Sequence, residues 1–200
     1  MKVYDYKMAD GTDFKGIQYR LASNWYGTIP LDEFKNRPIR YMEIGTFYGG
    51  NALFVAGTYG LHSDSEIHCV DPWDDYSEYP EYKGEQLSIY NQFLQNVNNS
   101  TYKKKIRTHR GYSNTEIPKF DDESLDIIYI DGNHEPEFIV EDGVLAFRKL
   151  KKGGYMIFDD YGWQGPDMVT RGVDAFISGY HKRIQNLGVH DCQAIVKKLR

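Results

Sequence analysis

Two short segments of this chain gather most of the residues able to do chemistry. Asp131-Gly132-Asn133-His134 follows the apolar run Leu125–Ile130, and Phe158-Asp159-Asp160-Tyr161 closes a second apolar run over residues 155–158. If the two runs are neighbouring strands, Asp131, Asp159 and Asp160 meet at one edge of a sheet. Three clustered carboxylates repel one another unless they are protonated, separated or bridged by a cation. A hard divalent ion with oxygen ligands, Mg²⁺ or Mn²⁺, is the simplest bridge. The plainer alternative has two of the acids capping loops while the third faces solvent. His134 titrates near neutral pH and is the candidate general base, its other reading being a residue that orders the loop. Asp131 is the second catalytic candidate.

A glycine turn lies upstream. Arg40-Tyr-Met-Glu-Ile-Gly-Thr-Phe-Tyr-Gly-Gly-Asn51 runs from a β-type stretch through Gly45 into a helical pattern opened by Gly49 and Gly50. Glycine tolerates positive φ and lets a ligand come close to the backbone. Glu43 stands two residues before the first glycine, which suits a positively charged nucleoside better than a phosphate. S-adenosylmethionine (SAM), with its ammonium and sulfonium groups, is such a ligand. The dinucleotide spacing G-x-G-x-x-G is absent. Glu43, Gly45, Thr46, Gly49, Gly50 and Asn51 are therefore candidate cofactor contacts. Asp71 ends the next strand and can accept from both ribose hydroxyls, or else serve as a turn residue before Pro72. Trp73 packs on an adenine or joins the core, and Tyr112 and Ser113 follow the third strand, where a base would lie. Asp131 joins this set as well.

These residues need a frame that brings strand ends together. Strand and helix patterns alternate from about residue 40 to 180, which predicts a parallel α/β sheet. Strands are expected over 39–44, 66–70, 105–109, 125–130 and 155–158. Helices are expected over 51–59, 85–97 and 138–150, the last stopped by Lys151-Lys152-Gly153-Gly154. Val169, Val173, Phe176, Ile177 and Tyr180 form a helical stripe. Two β-like runs follow, 182–187 and 192–197, joined by a hairpin-sized link over 188–191. The stretch 1–38 carries Phe14, Ile17, Leu21 and Trp25 at helical spacing and predicts a helical cap, leaving 39–200 as one globular unit.

Composition narrows the partners. A net charge of −5 over 200 residues disfavours a nucleic-acid partner, since Lys and Arg supply affinity for phosphate backbones. The basic cluster between Lys103 and Arg110 reads as a solvated edge. Seventeen tyrosines offer flat faces with hydroxyls, suited to sugars or rings. Cys69 and Cys192 form no metal-binding spacing. No apolar run reaches the ~20 residues of a membrane helix, and no signal-peptide core opens the chain. The expectation from composition is a soluble, cytoplasmic protein, or one domain of a longer one.

Four segments in order, Glu43-Ile-Gly45 with Gly49-Gly50, Val70-Asp71-Pro72-Trp73, Ile130-Asp131-Gly132-Asn133-His134 and Phe158-Asp159-Asp160-Tyr161, resemble the metal-dependent sugar O-methyltransferases of the macrocin and rhamnosyl type. The resemblance spans roughly residues 39 to 165. It implies a Rossmann-like class I methyltransferase fold with seven strands and an antiparallel C-terminal hairpin. It also implies SAM as donor, a sugar or glycan hydroxyl as acceptor, and a metal held by Asp131, Asp159 and Asp160. The implied partner is a small-molecule or glycan acceptor, and the implied setting a homo-oligomer or one domain of a larger glycan-modifying protein. The family usually has Asp where Asn133 stands and often Glu where Asp159 stands. Catechol-type O-methyltransferases use a comparable triad, so the acceptor stays open between the two. An NAD-dependent oxidoreductase explains Asp71 but neither Glu43 nor the hairpin, and a non-catalytic SAM- or glycan-binding module is a third reading.

Overall fold

A computed structural model describes residues 4–8, 11–16, 22–76 and 80–200. Seven strands form one sheet in the order β5-β4-β3-β6-β7-β9-β8. They are β3 (Arg40–Ile44), β4 (Glu66–Asp71), β5 (Ile106–Arg110), β6 (Leu125–Ile130), β7 (Leu150–Phe158), β8 (Ile184–His190) and β9 (Gln193–Lys198). Strands β3 to β7 pair in parallel, and β9 runs antiparallel to both β7 and β8. Among the described residues five α-helices accompany them: α1 (Gly50–Ala56), α2 (Gln86–Asn99), α3 (Ser113–Glu116), α4 (Pro136–Lys149) and α5 (Val169–Tyr180).

Strand side chains alternate between two apolar cores, as a sheet covered on both faces requires. Tyr41, Ile67, Cys69, Ile127, Tyr129 and Ile157 join Leu53 of α1 and Phe93 of α2 on one face. Met42, Ile44, Val70, Ile128, Ile130 and Phe158 join Ala146 of α4 and Phe176 of α5 on the other. The two cores hold β3, β4, β6 and β7 in register, so their C-terminal ends line up at one edge. No helix among the described residues is long and apolar enough to cross a membrane.

Three local expectations are corrected. Where the spacing predicted helices near the N-terminus, β1 (Tyr4–Lys7) and β2 (Asp13–Gly16) form an antiparallel hairpin, and among the described residues there only the 3-10 turns Ala22–Trp25 and Leu31–Glu33 are helical. Phe14 is buried by two-residue alternation within β2, and Trp25 by a separate turn; Ile17 and Leu21 lie outside the described residues. The glycines after α4 do not stop the helix, which ends at Lys149. Residues 151–154 instead belong to an irregular start of β7, where the register with β6 shifts. The C-terminal hairpin turns at Asp191 and Cys192, both with left-handed φ, of 47° and 61°. Gly188, expected in the turn, sits within β8 where the register against β9 shifts, as glycine does at a bulge.

Candidate active site

The glycine turn closes over the end of β6. Gly45 has a φ of 82°, and a Cβ there would collide with the carbonyl of Asp131. The Gly45 N–H donates to Val70 O at 2.9 Å and the Asp131 N–H donates to Ile44 O at 2.8 Å, so β3, β4 and β6 are bonded together just beyond their ends. Gly49, with a φ of 84°, precedes α1 and lies against the Phe93 ring; Gly50 is the first helical residue. Thr46 is buried beside the Cys69 thiol.

Asp71 anchors the turn. Its Oδ2 accepts from Phe47 N at 2.8 Å and its Oδ1 from Trp73 N at 2.7 Å. Burial pushes its carboxyl up to about 6, against the opposing pull of these backbone donors. With a third backbone donor at Thr46, three of the four carboxylate lone-pair sites are used and one is left for a ligand hydroxyl. Trp73 takes the core alternative. It is 1% exposed, packs on Phe93 and Tyr90 with centroids 4.8 Å apart in each case, and donates Nε1 to Phe47 O at 2.9 Å.

Glu43 is buried behind the turn. It accepts from Tyr41 Oη at 2.7 Å and Asn51 Nδ2 at 3.1 Å. Burial dominates and lifts its carboxyl to about 8. The Asn51 amide is used at both ends, because its Oδ1 accepts from Ala22 N at 2.9 Å. It therefore ties the N-terminal segment to the turn. Tyr112 is half exposed at the end of β5 and donates to Asp74 Oδ2 at 3.1 Å, while Ser113 begins α3 beside it.

The acids after β6 and β7 converge, with one exchange of partners. Asp131, His134 and Asp160 each bring one ligand atom into a group whose members all lie within 4.8 Å of one another. His134 Nε2 is 3.1 Å from Asp160 Oδ2 and 3.9 Å from Asp131 Oδ1. Asp159, expected as the third ligand, is 5% exposed and accepts from Tyr129 Oη at 2.6 Å. Burial and the neighbouring Asp159 charge raise the Asp131 carboxyl well above the usual range. Asp160 holds a left-handed φ of 56°, which aims its side chain back toward His134. Asn133 accepts from Glu135 N at 2.8 Å and so builds the turn into α4. Trp163 lies over His134 with centroids 5.0 Å apart.

Two carboxylates and an imidazole at this separation suit a divalent cation, whose ligand atoms stand ~3–4 Å apart when bonded at ~2.1 Å. The nitrogen donor moves the preference from Mg²⁺ toward Mn²⁺ and other first-row ions. Residues that the sequence reading passed over are Tyr41, Tyr129 and Gln193. A tyrosine among the isoleucines of 127–130 was the available signal for Tyr129, since a buried hydroxyl needs a partner.

Comparison with known proteins follows the same lines. A family model described as a methyltransferase domain matches residues 42–161. An uncharacterized protein of Acanthamoeba polyphaga mimivirus is 26% identical over 149 residues, which cover 72% of this chain and 59% of the relative. The chain thus spans less than two thirds of that relative's length. Among solved structures, the O-methyltransferase TomG from Streptomyces achromogenes, in complex with SAM, is 17% identical with a TM-score of 0.60, covering 80% of this chain and 73% of that one. An O-methyltransferase from Bacillus cereus, in complex with S-adenosylhomocysteine, is 17% identical with a TM-score of 0.58, covering 80% and 74%. At these identities the likeness establishes the fold.

Proposed function

Because the chain belongs to this methyltransferase-domain family, we propose that it moves the methyl group of SAM to a hydroxyl of a sugar or other small molecule, assisted by a divalent cation. The carrying observation is the contact between Gly45 and the Asp131 carbonyl, which sets the candidate donor turn directly against the Asp131, His134 and Asp160 group. The family match leaves no support for the oxidoreductase alternative.

Transfer breaks the bond from sulfur to the methyl carbon, forms a carbon–oxygen bond in line with it, and releases the hydroxyl proton. In this reading Asp71, which ends β4 beside the turn, would accept from the ribose, and Tyr112 and Ser113, after β5, would border the base. Glu43, buried behind the turn, would supply negative charge to the methionine end once binding has ionised it. Asp131, His134 and Asp160 would hold the cation, which when bound lowers the pKa of an acceptor hydroxyl. Orienting that hydroxyl behind the methyl group is worth up to ~7–11 kcal/mol in favourable systems. Tyr161 and Trp163 flank the acids as a wall for an acceptor ring. The 3.1 Å contact of His134 with Asp160 favours a second reading, in which the imidazole is paired with the carboxylate and takes the acceptor proton.

The test is a panel of nucleotide sugars, glycosides and catechols, assayed with SAM and Mn²⁺ or Mg²⁺ for release of S-adenosylhomocysteine. Metal-dependent release with a saccharide supports the full reading. Release with catechols alone corrects the acceptor. Tight NAD binding without SAM binding sinks the reading altogether.

A further inference from the structure

We propose that Trp25 is a positioning residue for the site, acting through Gln193 and Tyr129 to fix the orientation of Asp159. Trp25 Nε1 donates to Gln193 Oε1 at 2.8 Å, Gln193 Nε2 donates to Tyr129 Oη at 3.3 Å, and Tyr129 Oη donates to Asp159 Oδ2 at 2.6 Å. All four residues are buried. Chemistry fixes the direction of the chain. An indole N–H can only donate, so the Gln193 carbonyl must face Trp25 and its amide N–H₂ must face Tyr129. The tyrosine oxygen is then an acceptor on that side, and its single proton points at Asp159.

A parallel path begins in the same turn, Ala22–Trp25. Ala22 N donates to Asn51 Oδ1, which forces Asn51 Nδ2 toward Glu43 Oε2 at 3.1 Å. One N-terminal turn therefore sets the donor faces of two amides, and each amide leads to an acid at the end of a central strand. Ala22, Trp25 and Gln193 all lie outside the segment matched by the family model, 42–161. The acids at the strand ends are oriented from beyond that segment.

The effect on metal affinity rests on the cation reading given above; the hydrogen-bond relay does not. Two measurements separate them. In nitrogen–proton correlation spectra, the Trp25 indole resonance is identified by its loss in Trp25→Phe. It is expected to move in Tyr129→Phe, which keeps the aromatic ring 5.5 Å from Trp25 and removes only the hydroxyl, while the Trp73 resonance stays in place. Asp159 is not in the ligand group but its charge acts on Asp131, which is; by electron paramagnetic resonance, Tyr129→Phe and Gln193→Met are therefore each expected to weaken Mn²⁺ binding about tenfold, and the double variant no further. Calorimetry with S-adenosylhomocysteine confirms folding, with affinities within about twofold of wild type. An unmoved Trp25 resonance, or metal losses that add in the double variant, overturns the relay. Wild-type protein that binds no Mn²⁺ refutes the cation reading instead, and the relay then stands or falls on the indole resonance.

Discussion

The carbonyl of Asp131 fills the space that a side chain on Gly45 would need. Gly45→Ala therefore meets a backbone wall as well as an unfavourable positive φ, which alone costs ~1–2 kcal/mol. The expected result is a loss of several kcal/mol in denaturant unfolding and undetectable binding of S-adenosylhomocysteine. An alanine variant with an unchanged unfolding midpoint would show that the β3 and β6 ends separate freely.

Glu43 provides a pH signature. Its carboxyl, lifted by burial to about 8, is largely protonated in the free protein at neutral pH. A cationic donor favours the ionised form, so binding releases a proton and tightens as pH rises from 6 to 9. The dependence approaches about tenfold per pH unit below 8. Glu43→Gln should flatten it. Calorimetry in two buffers of different ionisation enthalpy measures the proton directly, and no proton release would remove Glu43 from the donor site.

Asp142 tests stability. It is 3% exposed on α4, and burial raises its carboxyl to about 7. A raised acid favours the folded state below its unfolded value and loses that contribution as pH climbs through the folded value. Asp142→Asn should therefore be more stable than wild type at pH 8, by up to ~4 kcal/mol, with the gap closing toward pH 4. Thermal unfolding across that range decides it; a constant difference would mean that the gain is not one of ionisation.

His134 separates the two catalytic readings. If its imidazole holds the cation, His134→Gln should weaken Mn²⁺ binding about tenfold or more and leave S-adenosylhomocysteine affinity alone. If it takes the acceptor proton, Mn²⁺ affinity persists while turnover falls ~10²–10⁴-fold. In either case EDTA should stop turnover and Mn²⁺ should restore it. Turnover that ignores the chelator would refute a metal role for Asp131 and Asp160.

The parts of this architecture that were readable before coordinates are those whose signal is local. Leu125–Ile130 announced a covered strand by the apolar stretch over 127–130, and Gly45 announced a turn by its place after β3. Side-chain direction was not local. Asp159 and Asp160 are adjacent, yet one faces Tyr129 and the other His134, because a left-handed φ at Asp160 turns the chain between them. The N-terminal hairpin was hidden because Phe14 and Trp25 happened to fall at helical spacing while being buried by separate elements.

Phe47 and Trp73 carry a last implication. Both are bulky residues at left-handed φ, 54° and 43°, and each props the other through the indole bond to the Phe47 carbonyl and through the shared carboxylate of Asp71. Neither conformation is one such a residue adopts alone. The distortion is lodged when the chain folds, before any visitor arrives. The turn proposed to hold the donor is thus already in shape, and capture of S-adenosylhomocysteine should run at a rate set by diffusion and charge, with no slow tightening phase behind it.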